Sequence, residues 1–97
     1  MLNHPHIISA TLSGGAYSEN VVLHSTECIN IIIVPTNTNN TYTFKIVSPN
    51  NLIVFSAQVT GRLYREVKIA FSGVYTFSVT GATVPNDTVN GEVGFRR

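Results

Sequence analysis

The chain has no tryptophan, a single cysteine, and charged side chains at only 11% of its 97 residues. Each scarcity excludes something. One cysteine, Cys28, cannot form an internal disulfide, which suits folding in a reducing compartment. A net charge of +1 removes the basic footprint that nucleic acid needs and the acidic one that cationic partners need. Alanine and leucine contribute 5 residues each, so the residues that lose least entropy in a helix are in short supply. The longest apolar run, Ile31 to Pro35, is far too short to cross a bilayer. The opening Met1-Leu2-Asn3-His4-Pro5-His6 has neither a basic residue nor the apolar core of a secretory signal, which predicts synthesis in a cytoplasm.

What is present points to strands. Valine, isoleucine and threonine supply 12, 9 and 11 residues, a third of the chain. These β-branched side chains pack well on a pleated surface. The apolar fraction of 43% is ordinary for a folded domain and excludes disorder. Apolar positions alternate, and turn residues interrupt them every 8 to 12 or so positions. Eight strands are expected, at residues 7–12, 17–23, 27–34, 41–47, 52–57, 65–71, 74–80 and 88–95. Ser13-Gly14-Gly15, Pro49-Asn50-Asn51, Ser72-Gly73 and Pro85-Asn86-Asp87 supply turns, and Asn90-Gly91 reads as a bulge or tight hairpin. The fold class is therefore all-β, an antiparallel sandwich of about eight strands, jelly-roll-like or immunoglobulin-like, without substantial helix. Residues 1–6 form an N-terminal arm and 7–97 a single domain. The expected core comprises Ile31, Ile33, Tyr42, Phe44, Ile46, Val67, Ile69, Phe71, Tyr75, Phe77 and Val79. Cys28 falls on the face opposite Ile31 and Ile33.

Catalytic chemistry is poorly supplied. Glu19, Glu27, Glu66, Asp87 and Glu92 mark no facing carboxylate pair, and no serine occupies a Gly-x-Ser-x-Gly elbow. Gly14 and Gly15 are not followed by the Gly-Lys-Ser/Thr of a phosphate loop. His4, His6, His24 and Cys28 could make a tetrahedral zinc set. The placement of Cys28 among core-type residues favours a small buried hydrophobe instead. No metal, cofactor or catalytic residue is expected. Tyr17 and Tyr64 are the aromatics that alternation leaves for display, as a platform for a glycan. Arg96 and Arg97, with His4 and His6, are the candidates for an interface outside the chain's own core.

The uncharged arm, the Ser/Thr/Asn-rich strands and the run Ser72-Gly73-Val74-Tyr75-Thr76-Phe77-Ser78-Val79-Thr80-Gly81-Ala82 resemble small β-sandwich structural proteins of tailed bacteriophage virions. The class in view is the capsid cement or decoration proteins, with tail accessory proteins beside it. The same Gly-x-Tyr-x-Phe-x-Val strand is similar to secreted bacterial modules of the prepeptidase C-terminal type. The virion resemblance implies a non-enzymatic protein that binds an assembled head, located in the virion after synthesis in the host cytoplasm. Its partners would be the major capsid protein or another virion protein, with no nucleic acid and no membrane. The expected outer strands, residues 7–12 and 88–95, carry few charges, which predicts a homo-oligomer that covers them. The resemblance makes it a trimer by analogy. A tail accessory or carbohydrate-binding sandwich is the alternative.

Overall fold

The structure, a computed structural model, describes residues 5–96, except the side chain of Ser25. Six strands are present: β1 His6–Thr11, β2 Tyr17–Pro35, β3 Thr41–Val47, β4 Ile53–Thr60, β5 Leu63–Thr80 and β6 Thr88–Arg96. All pairings are antiparallel, in the order β1-β6-β2-β5-β3-β4, and no helix occurs among the described residues.

Two of these strands each do the work of two. β2 and β5 run 19 and 18 residues and pair along most of their length. Their register shifts between Leu23 and Thr26, opposite Phe71 and Gly73, where β2 carries one extra residue. A bulge of this kind bends the ribbon and sharpens its twist. Gly73 makes the matching bend in β5 at φ 114°, and a Cβ there would stand 2.9 Å from the Pro49 ring. The sequence reading placed chain breaks at residues 24–26 and 72–73. They are bends within continuous strands, which is why eight expected strands appear as six.

The bend splits the sheet into two layers of four segments. One layer holds residues 17–23 of β2, 73–80 of β5, then β3 and β4. The other holds β1, β6, residues 27–35 of β2 and 63–70 of β5. Counted as eight segments from the N-terminus, the second layer runs first-eighth-third-sixth and the first layer second-seventh-fourth-fifth. That is the double-sheet order of a jelly roll, and it decides between the two sandwich types. The shortest extent of the molecule, 18 Å, fits two packed layers.

The core between the layers follows the expected alternation. Ile31, Ile33, Phe44, Ile46, Phe77 and Val79 are fully buried, and Tyr42, Phe71 and Tyr75 nearly so. Val67 and Ile69 face the same interior but stay half-buried at its flank. Cys28 departs from the expected face. A second bulge, between Cys28 and Asn30, inserts a residue against β6 and brings Cys28 round to the side of Ile31 and Ile33. Asn90-Gly91 is neither bulge nor turn: β6 passes through it in unbroken register with Ile8 and Ser9 of β1. Glycine is required at 91 because a Cβ would lie 2.5 Å from the Ile32 carbonyl oxygen. β6 is also not an edge. It lies between β1 and β2, and the ends of the sheet are β1 and β4.

Candidate interaction surface

The sequence-predicted interface residues are dispersed. His4 and Arg97 lie outside the described residues. His6 begins β1 and turns inward, its ring edge-on to Phe77 of the opposite layer at 5.4 Å. Its Nε2 lies 3.0 Å from Glu19 Oε1 but off the hydrogen-bond direction. His6 therefore sits half-buried at the flank between β1 and β2, where it also lines the smaller of two clefts beside the β2 bend. Arg96 is exposed at the end of β6, its Nε 3.3 Å from Glu27 Oε1. Such an exposed pair contributes little to stability and leaves the guanidinium available to another acceptor.

Tyr17 and Tyr64 do not form one platform. Tyr17 opposes Val79 and packs against the core, whereas Tyr64 opposes Ile32 in the other layer and is exposed. Of the other residues weighed for zinc, His24 is exposed at the bend and Cys28 is fully buried. The Cys28 thiol donates to the Asn30 carbonyl oxygen at 3.7 Å, and burial pushes its pKa up to about 11. Among the described residues no three His, Cys, Asp or Glu side chains gather in metal-binding geometry.

Two clefts flank the bend of β2. The larger, about 610 Å³, is lined by Glu27 and Arg96 at a polar rim and by Ala70, Phe71 and Tyr75. Its tyrosine is held: the Tyr75 ring lies 4.4 Å from that of Phe71, and its hydroxyl accepts the Ser72 backbone N–H at 3.2 Å. The smaller, about 290 Å³, lies beside Val21, Val22 and His24.

The outer faces of the layers carry an arrangement that residue counting does not reveal. Val22 and Val74 oppose each other across β2 and β5, with 60% and 46% of their surface exposed. On the same face Val47 opposes Ile53, which is 59% exposed and is followed toward the turn by Leu52 at 64%. Pro49 is exposed, and its ring lies beside Gly73, the chain neighbour of Val74. Together they give one end of the β2–β5–β3–β4 layer an uncharged, largely apolar band, in which Thr76, opposite Val47 and hydrogen-bonded to Asn20, stands in the row next to the Val22–Val74 pair. Scattered single apolar residues on a surface are ordinary, but a contiguous group marks a contact surface. On the other layer Ile7, Glu92, Ile32 and Tyr64 stand in one cross-strand row, where the glutamate interrupts the apolar side chains.

The end of the sandwich opposite the band is held by a buried polar clamp, of which the sequence pattern shows only Asp87, as a turn residue. Asn40 is fully buried, and Asp87 is 9% exposed. The Asn40 amide donates to Asp87 Oδ2 at 3.0 Å and to the Val84 carbonyl at 3.3 Å, and its oxygen accepts the Val84 N–H at 3.1 Å. Backbone N–H groups of Asn37 and Thr88 donate to the Asp87 carboxylate at 3.0 and 2.8 Å. Burial alone would raise the Asp87 pKa. The Asn40 amide and the two backbone donors outweigh it and hold the carboxyl below its ordinary value. No helix of the described residues is long and apolar enough to cross a membrane.

No protein-family model and no curated protein matches the chain. Among solved structures, dimeric latent PorU from Porphyromonas gingivalis is similar at 13% identity and a TM-score of 0.32, over 95% of this chain and 10% of that one. A structure of the Gx strain of infectious bursal disease virus is similar at 8% identity and a TM-score of 0.30, over 97% of this chain and 31% of that one. This chain thus spans a third or less of either, and neither likeness extends to its function.

Proposed function

We propose that the chain is a non-enzymatic structural protein of a virion, of the capsid cement or decoration class. The observation that carries this reading is the band of exposed Val22, Val74, Pro49, Ile53 and Leu52, with half-buried Val47 beside them, on an otherwise polar outer face. A protein that binds an assembled shell, and not its separated subunits, stabilises the assembly by RT ln(1 + L/Kd) per site, where L is its free concentration. The band supplies apolar area for that contact, and the small rigid jelly roll brings little ordering cost to it. The partner is a capsid or other virion protein, and the chain resides on the virion after synthesis in the host cytoplasm.

The cleft of about 610 Å³ supports a second reading, a sandwich that binds a glycan on a virion or tail. Its Glu27–Arg96 rim offers polar groups of the kind sugar hydroxyls pair with, above an aromatic wall.

Both readings are separated by labelling native particles of the virus that encodes the chain and by co-sedimentation with its empty mature capsids. Label on the head and co-sedimentation that Val22→Lys with Val74→Lys abolishes are expected. Label confined to the tail, or glycan-array binding without capsid binding, would overturn the cement assignment.

A further inference from the structure

We infer that β4 is a homodimerisation edge, pairing antiparallel with β4 of a second copy about a twofold axis at Ala57. β4 ends the sheet, so one side of its backbone has no ladder partner within the chain. Natural edge strands are protected by charge, proline, extreme shortness or a cover. β4 is eight residues long, Ile53-Val54-Phe55-Ser56-Ala57-Gln58-Val59-Thr60, with no charged residue and no proline. Its one bulge, between Phe55 and Ile53, lies at its N-terminal end and leaves residues 55–60 in regular register with β3.

The flank beneath this edge is open. Val54, Phe55, Ala57 and Val59 are only partly buried, as are Val67 and Ile69 on the facing segment of β5. The opposite flank is shut. There Ile8 and Leu12 are 1% and 2% exposed, and the His6–Glu19 contact links β1 to β2. The β5 edge, in turn, carries exposed Arg65, Glu66 and Lys68, the ordinary guard against edge pairing. β4 is thus an edge that lacks the guards and has an unfinished core behind it.

The sequence of β4 itself selects a second copy as the occupant. With Ala57 on the axis, Phe55 faces Val59 of the other chain twice, both on the inner face. Ser56 then faces Gln58 twice on the outer face, and Val54 faces Thr60. The inner pairs are apolar with apolar and the Ser56–Gln58 pairs polar with polar, Val54 and Thr60 lie at the ends beyond the regular ladder, and the smallest side chain of the strand sits where two identical residues meet. Isologous pairing of this kind closes at two copies, so the assembly is a dimer and not the trimer implied by the resemblance. It continues the β2–β5–β3–β4 layer into an eight-segment sheet and covers both open flanks. It does not depend on shell binding, because it concerns the purified chain alone.

Sedimentation and light scattering should show concentration-dependent mass rising to twice the chain's 10.6 kDa. Ser56→Glu with Gln58→Glu places like charges opposite each other across the axis on an exposed face, while Lys45, opposite Ser56 within the chain, offsets the new charge there. That variant should remain monomeric with an unchanged circular-dichroism spectrum. Ala57→Cys offers a measurement independent of that variant's folding. Directly opposed residues in an antiparallel ladder have Cα atoms about 4.5–5.5 Å apart, within disulfide range. Mild oxidation should link Ala57→Cys into a covalent dimer, while Ser9→Cys, on the β1 edge, stays unlinked. A monomer at concentrations on the order of 100 μM, or linking through Ser9→Cys and not Ala57→Cys, would overturn the proposal.

Discussion

Replacing Asn40 by alanine tests whether the buried clamp, and not merely the apolar core, holds the loops at that end of the sandwich. The amide makes a charge-assisted bond to Asp87, which contributes about 1.5–3 kcal/mol. Its removal also strips the Val84 N–H of its acceptor, and an orphaned buried donor costs about 1–3 kcal/mol. Partial relaxation reduces the sum to about 3 kcal/mol, a large share of the 5–15 kcal/mol or so that a domain has in total. With a urea slope of about 1.5 kcal/mol/M, the unfolding midpoint should fall by about 2 M at pH 7. The pH dependence carries a sign. Asp87 is held below its ordinary pKa in the folded chain, so its contribution is complete above about pH 5 and fades as the pH falls through the folded value. The gap between the natural chain and Asn40→Ala should therefore stay constant above about pH 5 and narrow as the pH falls through the lowered folded pKa of Asp87, followed by circular dichroism in urea titrations. A gap below about 1 kcal/mol at pH 7, or one that persists undiminished once Asp87 is protonated in the folded chain, would refute the clamp.

Two further outcomes follow from the core. Phe77 is fully buried, on the central β5 segment of its layer and against the rings of His6 and Phe44, so Phe77→Ala should cost about 3–5 kcal/mol in the same titration. A loss under about 1 kcal/mol would place that strand at the periphery. The Cys28 thiol, with its pKa pushed up to about 11, should react with a disulfide reagent at pH 8 about 100-fold more slowly in the folded chain than in urea. Comparable rates in the two states would mean that Cys28 is reached without unfolding.

The alternation of apolar residues was enough to name the strands and their inner faces, because a period of two is a local property of an extended chain. Tyr42, Phe44 and Ile46, or Tyr75, Phe77 and Val79, need no distant partner to show which side they bury. The same signal reads out of phase at Cys28, where a bulge adds one residue against β6 and moves the thiol into the core. The band on the outer face was invisible in sequence because Val22 and Val74, 52 positions apart by their numbers, become neighbours only through strand pairing.

By itself, then, the sequence determined an all-β chain, a two-layer sandwich and most of its core, since composition and periodicity act within a few residues of each other. Tertiary structure alone decided the rest. It made residues 24–26 and 72–73 bends instead of breaks, and it ordered eight segments as a jelly roll. It also set β6 between β1 and β2, leaving β4 at the edge. Asn40 and Asp87 became a buried pair on the same terms: an isolated asparagine and an aspartate read as turn residues, and only the closure of two loops removes both from water. Pairing between distant segments costs chain entropy that only the assembled sheet recovers, and no window of neighbouring residues records which pairing recovers it.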